Sequence, residues 1–497
     1  MAGDAHDILI RGGTLATGAG TIDADLAIRD GVVAAVGKGL GPAAREIDAT
    51  GRLVLPGGVD SHCHIEQLSG AGLMNADTFE TATRSALFGG TTSVVSFAAQ
   101  HPGMRLSQVV ADYEALAARG AMADHAFHII VSDISGENLA TDLPALMAAG
   151  HRSIKLFTVY DKVRMGDEAI LDVLWSAREN GGIVCVHAEN EGLIRWMVRR
   201  LVESGRTGAR YHPLSHPREA EIEALSRICR FAEFTGQPVM LFHISCAEGA
   251  AVVREARGRG APVLAETCPH YLFMTADQLD LPGNEAAGLM CSPPQRAGAD
   301  QEALWRALAL GDLSIVSSDH APYRLDEKGK FAHGRDAPFP RIANGMPGLE
   351  TRLPLMFDAM VSRGRPGYEN LGVERFVQLT ATAPAETFGL SGKGRILPGY
   401  DADVAIWDPA RQVTFGENDL HDGTGYNPYA GRTVVGWPET VLLRGRVVVE
   451  TGTLKANPGD GRRIPMALSP AMKALPSPAA DLAGVDRQAS SRGGAAR

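Results

Sequence analysis

Eight short apolar runs recur through the middle of this 497-residue chain, and their spacing limits its architecture more than any other pattern. They begin at Leu53, Thr92, Ala126, Ser153, Ile183, Pro238, Val263 and Leu313, most of them at intervals of roughly thirty residues. Segments of helical period lie between them, such as Asp77–Phe88, which starts with an acidic residue and stops at Gly89 and Gly90. Buried strands that alternate with helices form a parallel sheet, and eight of them predict a closed barrel.

The two ends of the chain have a different sequence pattern, in which apolar and polar residues alternate between glycines. This pattern is typical of half-buried antiparallel strands. It occupies Asp7–Arg11, Ala24–Arg29 and Gly31–Gly37 near the start, and Asp403–Trp407, Arg411–Phe415 and Glu439–Val449 near the end. Because the two groups flank a different middle, they predict one small β domain built from both chain ends.

The predicted fold class is therefore α/β, a (β/α)₈ barrel of the TIM type with a small β-sandwich domain. The expected boundaries are 1–52 and 393–460 for the two parts of the sandwich, 53–392 for the barrel and 461–497 for a C-terminal extension. The last roughly twenty residues are rich in Ala, Ser, Gly and Arg, a composition that predicts disorder.

Charge and composition exclude several classes of protein. Acidic residues outnumber basic residues by 58 to 48, and the net charge of −10 disfavours a nucleic-acid partner. No apolar stretch approaches the roughly 20 residues that a membrane-spanning helix needs. The first residues lack the basic and apolar regions of a secretory signal. The six cysteines are scattered without paired spacing, which predicts reduced thiols and a cytoplasmic location.

Chemistry in such a barrel lies at the carboxyl ends of the strands, so the polar residues after each apolar run are the candidates. The first run is followed by His62 and His64. Residues two apart in an extended strand point the same way, so both imidazoles can face one metal ion. Taken alone, this His-x-His pair does not establish a metal site.

A lysine inside the fourth run, Lys155, is the second unusual feature. Burial of an ammonium group is unfavourable and lowers its pKa, and this chain has only eight lysines. One interpretation is an ordinary salt bridge at the strand end. The other is a neutral amine that captures CO₂ as a carbamate, whose two oxygens could bridge two cations.

Three further strand ends carry metal-binding side chains. The fifth run ends at His187, the sixth at His243, and the eighth is followed by Asp319. Each histidine alone is more often a core residue than a ligand. Such residues at so many equivalent positions nevertheless indicate a metal site.

These residues also resemble a known family. The stretch from about residue 7 to 460 is similar to the cyclic-amide branch of the amidohydrolase superfamily, the dihydropyrimidinases and hydantoinases, with allantoinases and dihydroorotases as cousins. The matching motifs, in order, are Pro56–His64, Lys155 with Tyr160, His187-Ala-Glu-Asn, His243-Ile-Ser and Ser318-Asp319-His320.

The resemblance implies a binuclear centre. His62, His64 and Asp319 would hold one divalent metal ion, His187 and His243 the other, and Lys155 modified to N6-carboxylysine would bridge them together with a hydroxide. The imidazole and carboxylate ligands favour zinc, and manganese or cobalt fit nearly as well. CO₂ is then a second requirement, because it forms the lysine carbamate.

The expected reaction is hydrolytic opening of a cyclic amide. Asp319 would shuttle a proton from the attacking water to the leaving ring nitrogen, and Tyr160 would donate a hydrogen bond to the oxyanion. By the resemblance, main-chain groups at Ser292 and Asn344 would bind the –CO–NH–CO– edge of the ring. These last two segments are also rich in Gly and Pro, so they could be simple turns.

The expected substrates are dihydropyrimidines or 5-substituted hydantoins, which would be opened to N-carbamoyl amino acids. Glu66 stands where the dihydroorotases carry an arginine for the substrate carboxylate, and a glutamate there is expected to repel an anionic substrate. Glu266–Leu272 looks more like the allantoinases and dihydroorotases, so an allantoinase-like or other cyclic imide or ureide hydrolase is the alternative.

A different class is also considered: relatives of dihydropyrimidinase that lost metal ligands and act as non-catalytic scaffolds. All six ligand positions are filled here, which disfavours that hypothesis. The expected partner is a small cyclic amide, with neither nucleic acid nor membrane. The resemblance further implies a homotetramer or homodimer.

Overall fold

The chain begins with seven short strands. The structure is a computed structural model and describes residues 5–17, 20–70, 72–281 and 285–480. The strands are β1 (His6–Arg11), β2 (Thr14–Ala16), β3 (Thr21–Asp23), β4 (Asp25–Arg29), β5 (Val32–Gly37), β6 (Ala43–Asp48) and β7 (Leu53–Pro56). Four of them form one sheet in the order β5-β4-β1-β6. Ile8 and Ile10 of β1 pack into the apolar core of this domain, and the intervening Leu9 is buried as well, so this strand is covered on both faces.

Eight parallel strands then form the barrel in sequence order. They are β8 (Gly58–Asp60), β9 (Thr91–Ala99), β10 (Asp124–Ile130), β11 (Ser153–Phe157), β12 (Ile183–His187), β13 (Val239–Leu241), β14 (Val263–Thr267) and β15 (Ile315–Val316). The first and last strands meet beyond their ends, where Cys63 and His320 form a parallel bridge and the His64 N–H donates to the His320 carbonyl at 2.6 Å. This contact brings the two edges of the sheet together, as the predicted barrel requires.

Helices surround these strands. They are α1 (Phe79–Phe88), α2 (Leu106–Gly120), α3 (Leu143–Ala148), α4 (Asp167–Asn180), α5 (Glu191–Glu203), α6 (His212–Ser215), α7 (Arg218–Thr235), α8 (Ala247–Gly258), α9 (Pro269–Phe273), α10 (Gly298–Leu310), α11 (Arg352–Phe357), α12 (Val373–Val377) and α13 (Ala383–Thr387). The helix predicted from Asp77 is confirmed as α1. The Thr78 side chain accepts from the Thr81 N–H at its start, and Gly89 ends it.

Four more strands complete the β domain: β16 (Val404–Thr414), β17 (Thr433–Leu443), β18 (Arg446–Glu450) and β19 (Thr453–Leu454). They join three N-terminal strands in a sheet of order β19-β18-β17-β16-β7-β2-β3. A separate apolar core contains residues of both sheets, for example Ile28, Val54 and Ile406. The sandwich built from both chain ends is thereby confirmed.

One strand assignment from the sequence is wrong. The run that begins at Leu53 was expected to be the first barrel strand, but β7 pairs with β16 of the sandwich. The first barrel strand is β8, which pairs with β9. A four-residue apolar run carries no information about its partner, and the partner here lies at the other end of the chain. The expected domain boundaries stay predictions.

The described part of the C-terminal extension lies against the barrel. Arg463 forms a parallel bridge with His125, and Met466 an antiparallel bridge with Leu390. Most of the residues expected to be disordered, 481–497, lie outside the described residues. The six cysteines are buried and form no disulfide. Among the described residues, no helix combines the length and the apolar character needed to cross a membrane.

A buried ion cluster joins the barrel to the sandwich. Lys393 Nζ lies 2.6 Å from Asp124 Oδ2 on β10, and 2.8 Å from both Asp401 Oδ2 and Asp403 Oδ2 beside β16. Arg444, after β17, also binds Asp124. These contacts fix the position of the barrel's β10 relative to the sandwich.

Candidate metal centre and active site

The carboxyl ends of the barrel strands converge on one cavity of about 430 Å³. All of the candidate residues named from the sequence line it: His62, His64, Lys155, Tyr160, His187, His243, Ser292, Asp319 and Asn344. They come from different strands and loops, and they meet because parallel strands of a closed barrel end at the same rim.

Three of them form a compact group of donor atoms. His62 Nε2 lies 3.0 Å from Asp319 Oδ1, and His64 Nε2 lies 3.4 Å from the same oxygen. The donor atoms of the three residues all lie within 4.8 Å of one another, so they could hold one metal ion. Imidazole nitrogens and a carboxylate oxygen are ligands that suit zinc and other divalent first-row transition metals.

The opposite ring nitrogens of these histidines are held by hydrogen bonds. His62 Nδ1 bonds to Glu266 Oε1, and His64 Nδ1 bonds to Gln67 Oε1 at 2.7 Å. Each ring can therefore donate a proton from Nδ1 and keep the lone pair of Nε2 for a metal, the arrangement common around metal-bound histidines. The sequence analysis missed these two supporting residues. Glu266 could have been found, because it lies at the carboxyl end of β14, where residues of the active site are expected in a barrel.

The other two histidines lie beside this group. The ring centroids of His187 and His243 are 4.4 Å apart, and those of His62 and His243 are 5.5 Å apart. His187 Nε2 bonds to the buried carboxylate of Glu189 at 2.8 Å, which leaves its Nδ1 free as a ligand. The buried Nδ1 of His243 has no hydrogen-bond partner among the described residues. These unused nitrogens fit the second metal position that the sequence implies.

Lys155 extends between these residues from β11 and is 1% exposed. Its Nζ lies 4.1 Å from the ring centroid of Phe242 and 4.9 Å from that of Phe157. No carboxylate in the described part of the chain forms an ion pair with it, so the salt-bridge interpretation finds no support. Burial lowers the pKa of Lys155 to about 8, which increases the neutral amine that could react with CO₂.

The charges of the site act strongly on each other. Burial alone would raise the pKa of Asp319, but the surrounding histidines His62, His64 and His243 together hold this pKa well below its ordinary value. Burial alone would lower the pKa of His62, but the carboxylates of Asp319 and Glu266 raise it to about 8. Asp319 is therefore ionised at neutral pH, as a metal ligand or a base must be.

Three of the candidate residues have left-handed backbone conformations that are unusual for residues other than glycine. The φ angles are +74° at Tyr160, +42° at His243 and +46° at Asp319. Such strain is kept where the surroundings impose it, and it clusters at functional sites. The Tyr160 N–H donates to Glu191 Oε2 at 2.9 Å, a contact that holds this conformation at the start of α5. Burial raises the pKa of the Tyr160 hydroxyl, so the group stays protonated.

Ser292 and Asn344 face the cavity from two loops. The Ser292 hydroxyl donates to Glu189 Oε2 at 2.6 Å. The main-chain N–H groups of Ser292 and Asn344 donate no hydrogen bond within residues 5–17, 20–70, 72–281 and 285–480. Over the same residues, the buried Asn344 Oδ1 also lacks a partner. Two donors and one acceptor are thus available to a bound molecule.

The loop after His64 lines the cavity through Gln67, Leu68 and Ser69. The expectation for Glu66 is wrong. Its carboxylate accepts from the Phe79 N–H at the start of α1 and pairs with Arg119 at 3.2 Å, and Glu66 is not among the described residues that line the cavity. The Glu66 side chain is thus directed to the N-terminus of α1 and its charge is paired there, so the structure does not support the predicted repulsion of an anionic substrate.

Comparison with known proteins agrees with this geometry. A family model described as "Amidohydrolase family" matches residues 53–448. A D-hydantoinase of Ralstonia pickettii is 40% identical over 458 residues, which is 92% of this chain and 98% of that protein. A D-hydantoinase of Rhizobium radiobacter is equally similar, with the same coverage of both chains.

Solved structures agree as well. The dihydropyrimidinase of Brevibacillus agri NCHU1002 has a TM-score of 0.89 at 35% identity, covering 94% of this chain and 99% of that one. The L-hydantoinase (dihydropyrimidinase) of Arthrobacter aurescens has a TM-score of 0.83 at 27% identity, covering 93% and 100%. The predicted resemblance is confirmed: the chain belongs to the amidohydrolase family, in the branch of the hydantoinases and dihydropyrimidinases, and is a hydrolase.

Proposed function

We propose that the protein is a binuclear-metal cyclic amidase that opens dihydropyrimidines or 5-substituted hydantoins to N-carbamoyl amino acids. The observation that carries this proposal is the convergence of His62, His64 and Asp319 in a cavity that also contains the buried Lys155, which forms no ion pair with a carboxylate of the described residues. The D-hydantoinases that share 40% of the sequence support the substrate class and favour the D configuration at the substituted carbon.

In this proposal His62, His64 and Asp319 hold one divalent cation, His187 and His243 hold the other, and carbamylated Lys155 lies between them. Zinc is the first candidate, with manganese or cobalt next. When bound, such a pair of cations makes water a better nucleophile at neutral pH and polarises the amide carbonyl. The fixed imidazole tautomers and the free nitrogens of His187 and His243 support this assignment.

Asp319 is the proposed proton shuttle. Its low pKa keeps it ionised, so it can take a proton from the attacking water as the new C–O bond forms. It then returns the proton to the ring nitrogen as the C–N bond breaks. The ring carbonyl carbon becomes a carboxylic acid, which ionises to the carboxylate by releasing its own proton to solvent, and the nitrogen stays in the N-carbamoyl group with the proton from Asp319, so atoms and charge balance.

Tyr160 is the proposed donor to the oxyanion that forms on the substrate carbonyl. Its hydroxyl stays protonated and the residue is fixed at the rim beside His187, with ring centroids 5.4 Å apart. A fixed donor that meets developing negative charge stabilises the transition state more than the ground state.

The N–H groups of Ser292 and Asn344, which have no partner in the described part of the chain, are the proposed partners of the ring carbonyls, and the Asn344 Oδ1 is a further acceptor. Buried groups of this kind discriminate strongly, because an analogue without the –CO–NH–CO– edge leaves them unpaired. The homodimer or homotetramer implied by the family stays a prediction.

The test is a panel of rings assayed for opening by the metal-loaded enzyme: dihydrouracil, hydantoin, both enantiomers of a 5-substituted hydantoin, allantoin and dihydroorotate. The proposal expects turnover of the first three classes, with the D enantiomer preferred. An enzyme that opens allantoin or dihydroorotate and none of the others would overturn it. A preparation stripped of metal is the matched control and should regain activity only when divalent metal is restored.

A further inference from the structure

A buried ammonium group lies behind the cavity wall, in the segment between β15 and α11. Lys330 is 0% exposed, and it is not among the described residues that line the cavity. Its Nζ forms no ion pair with any carboxylate of the described residues. A buried and unpaired cation is costly, and burial lowers the pKa of Lys330 to about 7. A methionine would fill similar space without the unfavourable free energy of burying an ammonium group. We therefore expect the charge of Lys330, or its hydrogen bonds, to have a specific role.

The hydrogen bonds of Lys330 connect the two loops that face the substrate. Its Nζ donates to the Met290 carbonyl at 3.0 Å and to the Ala343 carbonyl at 2.8 Å. The Met290 carbonyl also accepts from the Gly345 N–H at 2.8 Å. One ammonium group therefore links the loop that contains Ser292 to the loop that contains Asn344.

One of the two carbonyls, that of Ala343, belongs to a peptide group that faces the substrate site. The Ala343 carbonyl shares its peptide group with the Asn344 N–H, which has no partner within the described residues. The protonated form of Lys330 places a positive charge on this carbonyl oxygen, which polarises the peptide and makes its N–H a stronger donor, while the neutral amine keeps the hydrogen bond itself. The Ser292 N–H has a parallel arrangement, because His212 Nε2 donates to the Cys291 carbonyl of that peptide at 2.7 Å.

We propose that Lys330 is a positioning residue for the ring substrate, which polarises the peptide group of Asn344 and ties the Ser292 loop to the Asn344 loop, so that both N–H groups meet the carbonyl edge of the ring. This inference rests on the proposed function, since it names how that same site holds its substrate. It concerns binding of the ring and not the chemical step, because Lys330 touches neither the cavity nor the candidate metal ligands.

The test compares K330M with K328M in the metal-loaded enzyme. Lys328 is an exposed lysine two residues away in the same segment, so K328M controls for loss of charge. K330M is expected to raise the KM for hydantoin and dihydrouracil about tenfold, the loss of roughly one charge-assisted hydrogen bond. Its kcat should stay within about threefold of the wild type, and K328M should match the wild type in both.

A purely structural role predicts a different result, namely a lower melting temperature and a smaller active fraction with KM unchanged. A folded K330M enzyme whose KM lies within about twofold of the wild type would therefore overturn the inference. K330Q keeps two N–H donors without the charge and should give an intermediate KM. If neither variant folds, Lys330 is a residue of general stability and the inference is wrong. A wild-type enzyme that opens none of the rings would instead refute the proposed function, before any variant is compared.

Discussion

His62 Nε2 lies 3.0 Å from Asp319 Oδ1, although His62 follows the first strand of the barrel and Asp319 follows the last. Closure of the barrel creates this contact, because it brings the two ends of the eight-stranded sheet together. The bridge between Cys63 and His320 fixes it from the backbone side. The site therefore depends on barrel closure as much as on the identity of its ligands.

Replacement of Asp319 by asparagine should remove both a metal ligand and the proton shuttle. We expect Asp319→Asn to bind metal more weakly and to lose about a thousandfold or more in kcat. Elemental analysis and steady-state kinetics measure the two effects. Asp336→Asn, at an exposed aspartate, is the control and should behave as the wild type. Retained turnover in Asp319→Asn would remove the proton-shuttle role.

Replacement of Lys155 by alanine should remove the carbamate while leaving space for its oxygens. We expect Lys155→Ala to lose most of its activity and part of its metal, and to recover some activity when short carboxylic acids are added. The same acids should not restore Asp319→Asn, which lacks a different group. A Lys155→Ala enzyme with wild-type turnover would rule out the carbamate.

The pKa of Lys155 predicts how CO₂ uptake depends on pH. Only the neutral amine reacts, and the pKa of about 8 means that the neutral fraction rises as pH increases towards 8 and levels off above it. At fixed dissolved CO₂, the initial rate of carbamate formation in metal-free protein should rise about tenfold per pH unit below that value. Carbon-13 NMR with labelled CO₂ measures it, with Lys155→Ala as the blank. A midpoint near the ordinary lysine pKa would contradict the desolvation argument.

Removal of the Tyr160 hydroxyl should affect the chemical step. We expect Tyr160→Phe to lower kcat about 100-fold with little change in KM, as for the loss of one oxyanion donor. Tyr400→Phe, at a half-buried tyrosine that is not among the described residues lining the cavity, is the control and should be nearly neutral in kcat. Unchanged kcat in Tyr160→Phe would show that Tyr160 only packs at the rim of the barrel and does not donate a hydrogen bond to the oxyanion.

The joint between barrel and sandwich gives a prediction about stability. Lys393→Met leaves the carboxylates of Asp124, Asp401 and Asp403 without their shared cation, and removal of one member of a buried ion pair typically costs about 3–5 kcal/mol. We expect a clear fall in the urea midpoint. Lys455→Met, which breaks a partly exposed pair with Glu450, should cost no more than about 1 kcal/mol. Equal stability of Lys393→Met and the wild type would show that the cluster is not a structural joint.

Most of the barrel was predictable because its signals are local. Seven of the eight apolar runs contain or overlap a barrel strand, and those at Ser153, Ile183 and Val263 begin at the first residue of their strand. The run at Leu53 was assigned to the wrong sheet because its partner, Val404–Trp407, is distant in sequence. The apolar pattern of a four-residue strand does not indicate which other strand it will pair with.

Side-chain direction was harder to predict than side-chain position. Glu66 was placed correctly in the loop after β8, but its conformation turns it to the N-terminus of α1. Glu266 was noted only as part of a motif, because its bond to His62 spans 204 residues. Lys330 gave no signal at all, since one lysine in a loop looks like any other until its burial is known.

The amino-acid order alone determined the alternation of strands and helices and the type of polar residue that ends each strand, because both follow from near-neighbour spacing. Only the folded chain decided which imidazole nitrogen is held by a hydrogen bond, which carboxylate faces the cavity and which lysine is buried. The physical reason is that hydrogen bonding, desolvation and charge coupling depend on distances between segments far apart in the chain, and no local pattern encodes those distances.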